Sequence, residues 1–511
     1  MPVDALLRDT LAVLKYANGA YVILACALAG GLFLRRSKPW PVPAAAGIVG
    51  PVLLLAFCAL ALAYALYPNF FDHAEPAIPG MGLALLEGRP LYPDLREYTF
   101  HGTLYGPLAA ETQAVAIALG TRLAGLPVML SSKLTGIAAF LLATAIFFRM
   151  ARSWGFARIY YLAFLLPFGT WAFWNRYEPD LLLSATAGIW AATALPRRQA
   201  LLCIGVCAGI ASAGKLHGCL YLAPPVVALM FRHGHLLEAL LIPAAAAAAA
   251  FLLLFLPEGI SLTGFIEYLL RGTQEGLSGK LFLLNVAYLF ALWSPLAVVR
   301  WRALLEPELL ALAAVQLVVT VIAAKPGAGA HHLLPFIPAN ALLFAARIGP
   351  LDARSPALAL LWLAALLPGI ASLADNALRM ARDWRAYDLA SRELLQMQAA
   401  YPGLVMGVGG GNFYPYAFLR PLLGLRGPPQ VEYSSYMGLQ YIGIPDTPLR
   451  QAFDSCRIAR LAVPRREPPF SLRNYFEPHD PLFSDELRAT FARRYTKIAQ
   501  GTWFDTYECR R

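Results

Sequence analysis

The sequence predicts a polytopic α-helical membrane protein with about twelve spans, followed by a soluble C-terminal α/β domain. The composition is 58% hydrophobic and only 14% charged. Apolar runs long enough to cross a hydrocarbon core of about 30 Å recur along the first three quarters of the chain. After residue 374 the composition changes to that of an ordinary soluble domain. We therefore expect a membrane domain over 1–374 and a separate domain over 375–511.

The predicted spans are apolar runs separated by short polar connections. They lie near residues 16–34, 43–67, 127–148, 157–174, 181–195, 199–213, 218–231, 236–256, 282–299, 303–323, 331–347 and 356–374. The segment 107–124 is not counted as a span, because it carries Glu111, Gln113 and Arg122. These polar residues suit a helix that lies in the membrane interface, within the long outer connection 68–126.

Basic residues follow every second span, as the positive-inside rule requires of cytoplasmic connections. They are Arg35, Arg36, Lys38, Arg149, Arg152, Arg158, Arg197, Arg198, Arg232, His233, His235, Arg300, Arg302, Arg347 and Arg354. The alternate connections, including 68–126, 175–180, 257–281 and 324–330, then face the outside together with both termini. Most of the basic residues lie in the short connections between apolar runs and in the tail. The net charge of +11 therefore does not indicate a nucleic-acid partner.

Cysteine usage adds little to the prediction of a site. Five of the seven cysteines lie in apolar runs, where a thiol behaves as a small hydrophobe. No Cys-x-x-Cys or Cys/His spacing indicates structural zinc. Cys456 and Cys509 lie in the tail and could form a disulfide if the tail faces the outside, although their spacing alone does not place them together.

The tail, 375–511, predicts a small α/β domain. We expect helices over 384–400 and 484–494, strands over 404–409 and 458–463, and a hairpin over 497–508. Residues 407–412 read Gly-Val-Gly-Gly-Gly-Asn. This run lacks the Gly-x-Gly-x-x-Gly spacing, the following helix and the ribose-binding acid of a dinucleotide site, so we interpret it as a loop at the end of a strand.

The first outer connection holds the longest polar interruption of the membrane domain, and five of its residues are candidates for a site. They are Asp72, Glu75, Asp94, His101 and Tyr105. Asp72 and Glu75 are candidate bases, or with His101 candidate metal ligands. The alternatives are local roles: Asp72 capping a helix near Pro76, Asp94 stabilising a turn, and His101 lying on the surface.

Later outer connections contribute cations, imidazoles and one more acid. These residues are Arg176, Asp180, Lys215, His217, Lys325, His331 and His332. A guanidinium suits phosphate oxygens, whereas a lysine near a helix end can also simply snorkel to the interface. Since four outer connections bring carboxylates and cations to one side of an otherwise apolar protein, we expect a site for an anionic lipid head group beside a carboxylate base.

The order of several short motifs resembles the GT-C superfamily of integral membrane glycosyltransferases. The bacterial branch similar to protein O-mannosyltransferases and to aminoarabinose or galacturonosyl transferases of lipid A is the best match. The motifs are Phe-Asp-His-Ala-Glu (71–75), Gly-Arg-Pro-Leu-Tyr-Pro-Asp (88–94), Tyr-Gly-Pro-Leu (105–108), Arg-Tyr-Glu-Pro-Asp (176–180), Gly-Lys-Leu-His-Gly (214–218) and Gly-Ala-Gly-Ala-His-His-Leu-Leu-Pro-Phe-Ile-Pro (327–338). The resemblance covers about residues 43–347, and the tail looks like the extracytoplasmic domain that many members carry.

The resemblance implies an inverting transfer of a sugar from a polyprenyl-phosphate donor to a glycan, lipid or protein acceptor. It places the reaction at the outer face of the bacterial inner membrane, among membrane lipids. It implies Asp72 as the base, Asp180 as a second acid, and Arg176, Lys215 and His332 as phosphate ligands. Several relatives have adjacent Asp and Glu residues where His73 and Ala74 intervene here, so the choice between Asp72 and Glu75, and any role of a divalent cation, stay open.

The rival class is a transporter or a flippase of lipid-linked sugars. Such proteins usually carry ionisable groups near the bilayer midplane and are built from repeated halves. Here the acids cluster on one side and no internal repeat is visible, which favours an enzyme.

Overall fold

The computed structural model describes residues 17–31, 42–94, 105–151, 155–233, 235–348, 355–425 and 427–510. Most of these residues are helical. The α-helices, α1 to α19 in chain order, are Ala17–Ala29, Val42–Leu66, Ala77–Leu86, Leu108–Leu123, Val128–Met150, Phe156–Leu165, Glu178–Ala194, Arg197–Gly214, Ala223–His233, Leu236–Leu253, Leu262–Gly272, Gly279–Arg300, Pro307–Ile322, Ile337–Arg347, Pro356–Ala400, Pro421–Gly424, Tyr433–Tyr441, Thr447–Asp454 and Asp485–Arg494. The fold class predicted from the sequence, a polytopic helical protein with a C-terminal α/β region, is confirmed at this level.

The chain divides into two compact units. Unit 1 comprises Met1–Tyr64, Gly136–Leu254 and Leu277–Arg379, and unit 2 comprises Ala65–Thr135, Phe255–Gly276 and Met380–Arg511. The domain boundary expected at residue 374 falls within α15, which is continuous from Pro356 to Ala400.

Among the described helices, five are long and apolar enough to cross a membrane. They contain Val49–Leu66, Val128–Met150, Leu236–Leu253, Gly279–Leu305 and Pro356–Ala400. The count of about twelve spans stays a prediction. Three of the predicted spans are interrupted helices: 3₁₀ turns over Leu166–Ala172, Leu216–Leu222 and Ala330–Phe336 adjoin α6, α9 and α14. Such breaks are tolerated in membrane proteins where the irregular backbone is buried in protein.

Helices α8 and α10 of unit 1 pack closely through small residues. Gly205 faces the backbone of Pro243, and Gly209, one turn later, faces the carbonyl of Ala247. A methyl group at either glycine would overlap these atoms. The Gly-x-x-x-Gly spacing therefore allows the two backbones to approach, as in many helix pairs within membranes.

Unit 2 contains a four-stranded sheet of order β1-β2-β4-β3. The strands are Leu404–Met406, Arg460–Pro464, Tyr495–Gln500 and Phe504–Cys509. β1 pairs in parallel with β2, which pairs antiparallel with β4, and β3 and β4 form a hairpin. The second strand, the hairpin and the helix predicted over 484–494 are confirmed. The strand predicted over 404–409 ends at Met406, so Gly407 to Asn412 form the loop after it, and the segment 384–400 is the end of α15.

Cys456 and Cys509 form a disulfide that links the end of β4 to the turn before β2. The five other cysteines are reduced. Disulfides persist in oxidising compartments, so the bond agrees with a tail that faces the outside.

We expect the double replacement of Cys456 and Cys509 by alanine to lower the stability of this region by about 2–4 kcal/mol, because the unfolded chain regains the entropy of an open loop. Thermal unfolding of the purified protein, followed by tail-specific proteolysis, measures the effect. Cys219→Ala, which removes an exposed free thiol, is the matched control. An unchanged unfolding temperature in the double variant would contradict the assignment.

Candidate active site

A buried carboxylate in unit 1 organises a polar cluster. Glu178 begins α7 in the sequence Tyr-Glu-Pro-Asp, where proline and an acidic first turn favour a helix start. Its side chain is 1% exposed. One oxygen, Oε1, accepts a hydrogen bond of 2.6 Å from Lys215 Nζ, and Oε2 accepts one of 3.0 Å from Trp174 Nε1. A carboxylate without partners would be costly to bury, and both oxygens of the Glu178 carboxylate accept a hydrogen bond.

The partners of Glu178 lie where helices are interrupted. Lys215 follows the last residue of α8 in extended backbone and immediately precedes the 3₁₀ turn Leu216–Leu222, which contains His217. His331 and His332 lie in the 3₁₀ turn Ala330–Phe336. We call Glu178, Lys215, His217, His331 and His332 the Glu178 cluster. Its members come from three regions of the sequence that the fold of unit 1 brings together.

A directed chain of hydrogen bonds runs through the cluster. Lys215 Nζ lies 3.4 Å from His332 Nε2, and His332 Nδ1 lies 3.2 Å from His217 Nε2. An ammonium group only donates, so His332 accepts at Nε2 and carries its proton on Nδ1. His332 then donates to His217 Nε2, and the proton of neutral His217 is on Nδ1. The two rings stack with centroids 5.1 Å apart.

His331 connects the cluster to a neighbouring aromatic side chain. Its Nε2 lies 3.6 Å from Glu178 Oε1, and its ring contacts that of Trp171 edge-on, with centroids 4.7 Å apart. The side chain is buried. The imidazole therefore lies beside the carboxylate oxygen that receives Lys215, at a distance longer than a hydrogen bond.

Two further cations of unit 1, Arg176 and Lys325, act on this cluster through their electrostatic field. The Arg176 guanidinium lies over the Trp174 ring, 4.6 Å from its centroid, and is partly exposed. Burial raises the pKa of Glu178, but Lys215, Arg176 and His331 outweigh it and hold the pKa below its ordinary value. Burial, together with Lys215, lowers the pKa of His217 to about 3, and Lys325 acts in the same direction. At neutral pH, Glu178 is charged and His217 is neutral.

Asp180 lies in the first turn of α7, two residues after Glu178, and is partly exposed. Burial and the charge of Glu178 raise the pKa of its carboxyl to about 7. The two acids of the Tyr-Glu-Pro-Asp segment therefore differ in protonation near neutral pH.

Replacing Asp180 by asparagine should stabilise the protein more at pH 8 than at pH 4. A raised pKa in the folded state means that the native carboxyl contributes stability below its unfolded value of about 3.9, and that this contribution is lost as the pH rises through 7. Melting temperatures of both proteins across pH 4–8 test this. A difference between them that does not change with pH would contradict it.

The carboxylates of the first outer connection lie in unit 2 and have different environments. Glu75 is fully buried, and its Oε1 accepts hydrogen bonds from the amides of Phe71 and Asp72, at 2.8 Å and 2.9 Å. Asp72 has a side chain 30% exposed, with Oδ1 accepting from the Ala74 amide at 2.8 Å and Oδ2 3.7 Å from His73 Nδ1. Glu75 thus stabilises the turn formed by residues 71–75, and Asp72 is the more exposed of its two acids.

A buried lysine supports the same turn. Lys133, on α5, is fully buried and donates to the carbonyl oxygens of Tyr67 and Asn69, at 2.5 Å and 2.7 Å. It also interacts electrostatically with Glu75. The turn that presents Asp72 is therefore fixed from two sides by a buried acid and a buried base.

The other candidates from the first connection have local contacts in unit 2. Asp94 is exposed beside Tyr268, whose hydroxyl donates to the Pro93 carbonyl at 2.8 Å. The carbonyl of Tyr105 accepts from the Tyr92 hydroxyl at 2.9 Å. His101 lies outside the described residues. In the part of the chain that the structure describes, no group of three or more His, Cys, Asp or Glu side chains is arranged to hold a metal ion.

Two buried charged residues of these clusters, Glu178 and Lys133, are not among the candidates that the sequence indicates. Glu178 lies between Arg176 and Asp180 and was passed over, although an acid directly before a proline at a helix start was a usable signal. Lys133 lies inside an apolar run, where a single intramembrane charge is itself a sign of function or of a buried partner. In both cases the residue type and its position indicate a buried charge, but the sequence does not show which groups pair with it.

Together the described helices, their 3₁₀ interruptions and the charged clusters define a polytopic membrane protein with a polar site. The fold is similar to that of ArnT from Cupriavidus metallidurans bound to undecaprenyl phosphate, with a TM-score of 0.57 and 13% identity over 89% of this chain and 96% of that chain. The apo form of ArnT gives a TM-score of 0.53 and 13% identity, over 90% of this chain and 98% of the other. The fold implied by the resemblance in sequence is thus confirmed, and at 13% identity the likeness shows the fold alone. No protein-family model and no curated protein sequence matches the chain.

Proposed function

We propose that this chain is a membrane glycosyltransferase that takes its sugar from a polyprenyl-phosphate donor. The observation that carries the proposal is a fold shared along nearly the whole chain with ArnT, a protein whose crystal structure holds undecaprenyl phosphate. The charged residues of unit 1 supply the chemistry that a lipid phosphate needs. Because one fold can support many reactions, the catalytic and binding roles of individual residues are assigned from the environment of each side chain.

The donor phosphate is assigned to the cations of unit 1. Arg176 is permanently charged and partly exposed, and its planar guanidinium matches two phosphate oxygens. Lys215 is held in position by Glu178, and His332 is held in turn by Lys215. Because Arg176 and Lys215 are cations in place before the reaction, they stabilise negative charge on a leaving phosphate without reorganising. The proton of His332 is engaged with His217, so His332 acts by orienting Lys215. Glu178 acts as a positioning residue.

Asp72 is the proposed general base. It takes the proton of an acceptor hydroxyl while that oxygen bonds to the anomeric carbon, and the carbon–oxygen bond to phosphate breaks with its electron pair leaving on the phosphate. A single displacement inverts the configuration at this carbon. Glu75 is assigned a positioning role because both backbone amides of the turn occupy its Oε1. Asp180, whose pKa is raised by burial and by the charge of Glu178, is proposed as a second acid.

The reaction is placed at the outer face of a bacterial inner membrane. The disulfide in unit 2 agrees with this side, because such bonds do not persist in the cytosol. The distribution of basic connections gives the same orientation.

Transfer from radiolabelled polyprenyl-phosphate sugars by the purified protein in lipid tests the proposal. We expect incorporation into an acceptor fraction prepared from bacterial envelopes, measured with and without a chelator to show whether a divalent cation takes part. Failure to transfer from any donor, together with movement of intact donor across sealed vesicles, would instead indicate a flippase.

A further inference from the structure

An open groove of about 360 Å³ lies at one edge of the sheet in unit 2. β1 and β2 are parallel, so the loops that follow them emerge at the same edge, and Phe470 N donates to Val408 O across them at 2.8 Å. The groove is lined by Gly410, Gly411, Glu467, Pro468, Ser471, Leu472 and Arg473. Ligands of α/β proteins commonly bind outside the carboxyl ends of parallel strands. The glycine run noted in the sequence forms one wall.

The groove contains hydrogen-bonding groups that the described protein residues do not satisfy. Glu467 Oε2 is a buried atom without a hydrogen-bond partner among the described residues. It faces Gly410, where any side chain would overlap the carboxylate. An unpaired buried acceptor is costly, so a hydroxyl or amide of a ligand is the expected partner. A carboxylate in this place also disfavours an anionic ligand.

A stack of three aromatic rings follows the glycine loop. Phe413 and Tyr416 are nearly parallel, with centroids 6.1 Å apart, and Tyr416 stacks on Trp503 at 5.2 Å. All three are partly exposed. Arg466, which precedes Glu467, lies over the Phe413 ring. The rings contact one another and Arg466 through their faces, so the stack offers partly exposed apolar surface next to the glycine loop. Apolar surface near a hydrogen-bond acceptor suits a molecule that combines apolar patches with many hydroxyl groups.

The groove adjoins the turn that carries Asp72, within the same unit. The Asn69 amide donates to Pro415 O at 2.9 Å, and Pro415 lies between Phe413 and Tyr416 in sequence. From the other side, the His73 ring contacts the ring of Tyr475, two residues beyond Arg473, with centroids 5.3 Å apart. Residues that follow each side of the groove in sequence thus contact residues that flank Asp72.

We infer that this groove binds a carbohydrate portion of the acceptor, and that unit 2 thereby selects a sugar-bearing acceptor. The claim that the bound sugar belongs to the acceptor rests on the proposed function. The claim that the groove binds a sugar does not depend on it. Glu467 accepts hydrogen bonds from hydroxyl groups, Gly410 leaves room for its carboxylate, and the partly exposed aromatic stack adds apolar surface near the groove.

Two variants of the full-length protein in lipid nanodiscs test the inference. Glu467→Gln keeps the shape and removes the charge of the acceptor group, and Gly411→Tyr fills the groove from a position where an added Cβ meets no atom within 4 Å. Glu486→Gln, an exposed acid at the start of α19, is the control. Binding of mannotriose, chitotriose and maltotriose is measured by saturation-transfer NMR and calorimetry.

We expect at least one trisaccharide to bind the wild type and the control, with a loss of affinity of about tenfold or more in both groove variants. Binding of none of the three to the wild type, or equal binding by wild type and variants, would overturn the inference. Donor turnover is measured on the same samples. Donor turnover without sugar binding would refute the groove alone, whereas sugar binding without turnover of any donor would refute the transferase alone.

Discussion

Lys215→Met should abolish sugar transfer and also destabilise unit 1, which makes it the substitution with the largest expected effect. Lys215 and Glu178 are 3% and 1% exposed, and their side chains are joined at 2.6 Å. Removing the cation leaves a buried carboxylate uncompensated, at a cost of about 3–5 kcal/mol. It also removes a fixed donor for the leaving phosphate, which typically lowers kcat about 10²- to 10³-fold.

The double variant Lys215→Met with Glu178→Gln separates these two effects. It removes both charges, so much of the stability should return while transfer stays lost. The exposed Lys280, at the start of α12, provides the matched control Lys280→Met. Melting temperature and kcat are measured for all four proteins. Recovery of transfer in the double variant would show that Lys215 serves only to neutralise Glu178.

Asp72→Asn should lower kcat by about 10²- to 10⁴-fold, the usual contribution of a positioned base, with little change in melting temperature. Asparagine retains the oxygen that accepts from the Ala74 amide, and the side chain is partly exposed. The loss therefore reports on proton transfer. The measurement is kcat at saturating donor and acceptor, and wild-type activity in Asp72→Asn would remove Asp72 from the mechanism.

Glu75→Gln is the comparison that distinguishes the two acids of the turn. Glu75 is buried, holds two amides and interacts with buried Lys133, so neutralising it should lower the melting temperature together with kcat. A loss of activity in Glu75→Gln without loss of stability would reverse the roles assigned to Glu75 and Asp72.

Much of the fold follows from patterns that the chain displays locally. Apolar runs predicted most of the helices, and the tail's strands at 404–406 and 460–464 were found from short buried runs. The interruptions at Leu166–Ala172 and Ala330–Phe336 were not expected, because periodicity and hydropathy continue through them. They depend on tertiary packing that compensates for lost helical hydrogen bonds.

The sequence indicates several members of the Glu178 cluster, whose functional roles stay predictions. Lys215, His217 and His332 stood out as polar residues in an apolar chain, and the fold of unit 1 joins them in one hydrogen-bonded chain. The carboxylate that holds them, Glu178, was missed because only its partners reveal its role. The pairing of Cys456 with Cys509 likewise required the sheet that brings β2 and β4 together.

The most direct measurement of the central claim is the stoichiometry of the reaction products. Purified protein in nanodiscs is given a doubly labelled donor, with one label in the sugar and one in the polyprenyl chain. The proposal predicts one molecule of free polyprenyl phosphate for each sugar joined to the acceptor, with inverted anomeric configuration by NMR. Intact donor throughout the incubation, with an acceptor fraction present and wild-type protein folded, would contradict it.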